Sequence, residues 1–108
     1  MAAEVVRELA ARSFMEGPEL CREYLREERM WFGTSTVPVG ATGAVDDGHA
    51  RSVEVFFCAR GEALVDLGER CEQLRAGDAL IIPPGVPHTI TNIGEEPVLV
   101  VWAGAPGE

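Results

Sequence analysis

Two histidines are all the imidazole this chain has, His49 and His88, and each lies beside a strand-like run in a setting of glycine or proline. Around the first, the chain reads Asp46-Asp47-Gly48-His49, and Glu54 follows at the start of the run VEVFFCA. Side chains alternate along an extended segment, so Asp47 and His49 are expected on one face. By the same alternation Glu54 shares a face with Phe56 and Cys58. A carboxylate is costly to bury beside Phe unless it is paired or holds a metal. Two imidazoles with one or two carboxylates make a mixed nitrogen–oxygen donor set suited to zinc, iron, manganese, nickel or copper. Taken singly, these residues have plainer uses. A lone His near a turn is usually solvated or hydrogen-bonded, and Asp47, next to Gly48, has the local context of a turn residue.

The elements that must position these side chains are short strands. Glu19–Arg26 and Arg29–Val37 read as two of them, joined by a polar turn. Then come 53–59, ALVDL (63–67), CEQLR (71–75), ALII (79–82), PHTITNI (87–93) and VLVVWA (98–103), separated by turns that contain glycine or proline. Many short strands with such punctuation indicate an all-β sandwich or barrel. Residues 4–15 differ. Val5, Val6, Leu9, Ala10 and Phe14 fall on one helical stripe, and Gly17-Pro18 ends it, so a short amphipathic helix is expected within residues 1–17. The barrel is expected over 19–103, with 104–108 a frayed tail. At 108 residues the chain is read as one domain, 1–108.

The spacing of residues 77–92 is more specific than any single residue. Gly77-DALII-Pro83-Pro84-Gly85-Val86-Pro87-His88-TIT-Asn92 matches every position of the second motif of the cupin superfamily, G-x5-P-x-G-x2-H-x3-N. Asp47-Gly48-His49-ARSV-Glu54-VFFCAR-Gly61 is similar to the first motif in its germin-like spacing, H-x-H-x4-E-x6-G, with Asp47 in place of the first His. The chain thus resembles a small single-domain cupin. That resemblance implies a double-stranded β-helix, or jelly-roll, barrel enclosing one divalent transition metal (manganese, iron, zinc or nickel). It implies His49, Glu54 and His88 as ligands, with Asp47 in the place of the fourth. Pro83, Pro84 and Pro87 pre-set the loop that aims His88 inward, and Asn92 is read as bracing a turn in preference to touching a substrate.

Composition narrows the functions. Eighteen acidic residues against nine basic ones, all of them Arg, give a net charge of −9, which repels a phosphate backbone and argues against nucleic acid. No apolar run approaches the roughly 20 residues of a membrane span. No basic segment followed by an apolar stretch marks a secretory signal, so a cytoplasmic protein is expected. Cys21, Cys58 and Cys71 are too few and too widely spaced for a disulfide framework and read as buried thiols. The likeness implies a metal-dependent enzyme of oxygenase, isomerase, lyase or decarboxylase type, acting on a small polar or carboxylate-bearing molecule. The alternative is a non-catalytic small-ligand binder or sensor, with or without metal. A homodimer is expected, because the N-terminal segment and strand 19–26 need an apolar surface to lie on.

Overall fold

The computed structural model describes residues 2–108. Nine strands follow a single 3-10 turn, Glu8–Ala10: β1 (Arg12–Glu16), β2 (Glu19–Arg26), β3 (Trp31–Val37), β4 (Val53–Arg60), β5 (Glu62–Asp66), β6 (Cys71–Arg75), β7 (Ala79–Ile82), β8 (Thr89–Asn92) and β9 (Val98–Ala105). They form two antiparallel sheets, one in the order β1-β2-β3-β9-β4-β7 and one in the order β6-β5-β8. The all-β barrel expected from the strand pattern is what the chain forms. The helix expected over 4–15 is not. That segment is too short for an isolated helix to hold itself together, and Val5 and Leu9 lie exposed, so no packing supports it. Its second half instead gains a full ladder of bonds as β1, from Arg12 opposite Glu23 to Glu16 opposite Glu19. Gly17-Pro18 closes that hairpin rather than ending a helix. Gly17 takes φ 60°, a conformation that a two-residue turn demands and that glycine adopts without strain.

Alternation decides what faces inward. β3 buries Trp31, Ser35 and Val37, β4 buries Glu54, Phe56 and Cys58, and β9 buries Val98, Val100 and Trp102. The registers Gly33 opposite Trp102 and Trp31 opposite Gly104 set each tryptophan beside a glycine on the neighbouring strand. A β-carbon at Gly104 would stand 2.0 Å from the Trp31 ring, and one at Gly33 would stand 2.3 Å from Trp102. The two glycines therefore clear the floor on which both indoles lie. Truncating Trp31 to Ala would cost about 3–5 kcal/mol, as for other large core aromatics.

The stretch between β3 and β4 is not a strand. It is tied down at two isolated bridges, Thr42 opposite Thr91 of β8 and Asp46 opposite His88 just before that strand. The end of the chain is held rather than frayed: β9 runs on to Ala105, and the Glu108 carboxylate accepts from the amides of Ala50 and Arg51, both at 2.9 Å, and from the Ser52 hydroxyl. Cys21 and Cys58 are buried as expected, whereas Cys71 is exposed. No helix among the described residues is long and apolar enough to cross a membrane.

Candidate metal centre

One cavity of about 80 Å³ opens between the sheets, walled by Trp31, Phe56, Ile90 and Trp102 among others. His49, Glu54 and His88 all face it. Glu54 enters from β4 by alternation. His88 sits just before β8, at the end of the loop Pro83–Pro87, and is 4% exposed. His49 comes from the irregular stretch before β4, its ring tilted 45° against that of Trp31 with the centroids 4.5 Å apart.

Asp47 does not join them: it is exposed. The acidic partner is Asp46, one residue earlier, and Asp46, His49 and His88 each offer a ligand atom within 4.8 Å of the others. Strand alternation fails here for a local reason. Gly48 adopts φ 96°, so the backbone from 46 to 49 is a turn, not a strand. Asp46 Oδ1 accepts from the Gly48 amide at 2.8 Å, and the Asp46 backbone exchanges two 2.9 Å hydrogen bonds with that of His88. Those bonds hold its second oxygen towards the histidines.

The donor atoms converge on a point rather than on one another. His88 Nε2 stands 3.0 Å and His49 Nε2 stands 3.4 Å from Glu54 Oε1. Asp46 Oδ2 is 3.6 Å from His88 Nε2 and 3.9 Å from His49 Nε2. Although these spacings are short, Glu54 Oε1 and His49 Nε2 are buried with no aligned hydrogen-bond partner. Buried polar atoms are rarely left so. Ligands at about 2.1 Å from one ion stand about 3.0 Å apart at a right angle and about 3.4 Å at the tetrahedral angle. The Glu54 contacts match those spacings, and the Asp46 contacts are a little longer.

Neighbouring groups fix how the donors present themselves. His88 Nδ1 lies 3.1 Å from the Val86 carbonyl. A carbonyl only accepts, so Nδ1 carries the proton and neutral His88 offers the Nε2 lone pair to the cavity. Trp31 Nε1 donates to Glu54 Oε2 across 3.4 Å. Burial opposes protonation of His88, but the adjacent Glu54 carboxylate outweighs it and holds the pKa above the usual imidazole range. A lone pair and a carboxylate oxygen 3.0 Å apart repel unless a cation, a proton or a metal ion, lies between them.

The sequence reading missed a second acidic group on the same cavity. Glu16 lies at its mouth, and Glu19 and Cys21 are buried in its wall. Glu19 and Cys21 alternate inward on β2 as Glu54 and Phe56 do on β4, which was the available signal. Burial raises the carboxyl pKa of both Glu16 and Glu19. Burial likewise pushes the Cys21 thiol up to about 12, so it stays protonated. Among the described residues, Arg26 is the one Arg that lines the cavity. Asn92 braces a turn, donating to the carbonyls of Val37 and Glu96 and accepting from the Gly94 amide.

A family model of the cupin domain matches residues 33–104. An uncharacterized protein of Streptomyces coelicolor, SCO3923, is 33% identical over 95 residues, covering 87% of each chain. An uncharacterized protein of Methanocaldococcus jannaschii, MJ1618, is 33% identical over 70 residues, which are 65% of this chain and 55% of that protein. The chain thus spans about half the length of that relative. Among solved structures, a predicted oxalate decarboxylase from Thermotoga maritima superposes with a TM-score of 0.80 at 17% identity, covering 95% of this chain and 99% of the other.

Proposed function

The chain belongs to the cupin-domain family, and on that premise we propose that it binds one divalent transition-metal ion through His49, Glu54 and His88, with Asp46 beside them, and works as a metal-dependent enzyme on a small polar molecule. The observation that carries this reading is the pair of buried, unpartnered atoms, Glu54 Oε1 and His49 Nε2, at ligand spacing from one another. A metal ion is the partner that satisfies both at once, and the nitrogen–oxygen set suits manganese, iron, zinc or nickel. A bound ion supplies Lewis acidity towards a carbonyl, carboxylate or water oxygen.

The residues around it would do the rest. Trp31, Phe56 and Trp102 exclude water and strengthen every charge interaction in the cavity. The reaction type is proposed only as a class: oxygenation, isomerisation, lyase chemistry or decarboxylation. One fold neighbour is a predicted oxalate decarboxylase, which makes small carboxylates the first compounds to try. We further propose a homodimer, packed through the outer face of the six-stranded sheet, where Phe32, Phe57 and Ile81 lie exposed. Light scattering giving a monomer mass at micromolar concentration would contradict that assembly.

Calorimetric titration of chelator-stripped protein with Mn(II), Fe(II), Zn(II) and Ni(II) tests the metal. One tight site per chain for at least one of them is the expected result. Absence of any tight site would leave a metal-free ligand binder.

A further inference from the structure

Glu19 is a second carboxyl on the cavity, 6% exposed, and its hydrogen bonds have a fixed direction. Trp102 Nε1, which can only donate, gives its hydrogen bond to Ser35 Oγ at 2.9 Å. Ser35 Oγ is therefore an acceptor towards Trp102 and sends its own proton to Glu19 Oε2. The Cys21 thiol points at the same oxygen from 3.6 Å. Oε2 is thus committed as an acceptor, and neither of these bonds uses Oε1. That second oxygen lies alongside Gly43, where a β-carbon would stand 2.2 Å from it. Gly43 leaves Oε1 the room that any other residue would take. A carboxyl arranged so carries its proton, when it has one, on Oε1.

We propose that Glu19 is the proton donor of the cavity, passing a proton from Oε1 to the molecule bound against His49, Glu54 and His88. This rests on the metal-site reading above. In the step, the O–H bond at Oε1 breaks and a basic oxygen or carbon of the ligand takes the proton. Glu19 is left as a carboxylate whose charge falls on Oε2, where the Ser35 hydroxyl and the Cys21 thiol already point. Water returns the proton afterwards. Three things support the assignment. The cavity holds unpartnered buried atoms of its own, so a ligand belongs there. Glu19 lines that cavity in a separate cluster with Glu16 and Cys21, apart from Asp46, His49 and His88. Burial also favours its protonated form, with Ser35 opposing and Glu16 adding to the shift.

The test compares the full-length wild type, Glu19→Gln and Ser35→Ala by infrared spectroscopy and by azide binding to the Co(II)-loaded proteins. At about pH 6, where exposed carboxyls are ionised, the wild type should keep a protonated-carboxyl band. That band should vanish in Glu19→Gln and shift in Ser35→Ala. Azide affinity of the wild type should fall with rising pH, approaching about tenfold per pH unit once Glu19 is ionised. Glu19→Gln should flatten this profile while holding Co(II) within about threefold of the wild type, since Glu19 is outside the ligand group. A missing wild-type band, or the same azide profile in Glu19→Gln, overturns the inference. A wild type that keeps the band but takes up no Co(II) supports the proton on Glu19 and overturns the metal reading alone.

Discussion

Two acidic groups face one cavity, and they are satisfied in opposite ways. At Glu54 the ring nitrogens of His49 and His88 crowd an oxygen that neither is aligned to bond. At Glu19 the neighbouring donors line up in a chain, Trp102 to Ser35 to Oε2. Burial alone does not distinguish the two carboxyls, which are 5% and 6% exposed. Direction does. A convergent set without internal partners is completed by a cation from outside, whereas a directed chain has its partners already and leaves one oxygen to hold a proton. The difference teaches that a buried carboxyl has to be read from where its neighbours' protons point.

The largest expected effect breaks the comparison at Glu54. Glu54→Gln keeps the shape but puts a neutral amide at the convergence point. It should weaken metal affinity by more than about 100-fold, beyond the loss typical of an outer partner, as measured by calorimetry. A smaller effect separates the two aspartates. Asp46→Asn should weaken metal binding by about tenfold, because Asn keeps the Gly48 turn bond but offers a poorer ligand. Asp47→Asn should change nothing measurable. Equal losses in both variants would return Asp47 to the site.

The smallest effect is on stability and concerns Glu19. Its carboxyl holds a proton to higher pH when folded than the ordinary value of 4.5. The folded state therefore binds more protons than the unfolded state between those two values, and stability falls as pH rises through that window. Glu19→Gln has no proton to lose. It should melt above the wild type at pH 7 to 8, with the difference vanishing near pH 4. A variant that melts below the wild type at neutral pH would mean that Glu19 is stabilised as a carboxylate, and the comparison would fail.

Strand alternation made most of the fold legible in the sequence. Glu19–Arg26, Cys71–Arg75 and Ala79–Ile82 appear as strands with the limits expected of them, because turn residues or charged residues bound each short run. The same rule put Glu54 inside with Phe56. It misled where the backbone stops being a strand. Alternation across Gly48 puts Asp47 beside His49, but the positive φ of Gly48 turns the chain and presents Asp46 instead. The N-terminal stripe fitted a helix because Val5, Leu9 and Phe14 fall at helical spacing, yet only a partner strand, β2, settles what 12–16 does. Glu19 is not legible as a site residue in the sequence, because its chain of hydrogen bonds draws Ser35 from β3 and Trp102 from β9, residues far apart in sequence that only the sheet register unites.

Elemental analysis of untagged wild type and His88→Ala, purified in parallel, tests the central claim most directly. His88→Ala should still fold, since the loop before it is braced by Pro83, Pro84 and Pro87. Near one transition-metal ion per chain in the wild type and close to none in His88→Ala is the predicted result. Equal metal content in the two proteins, or none in the folded wild type after incubation with each candidate metal, would contradict the account.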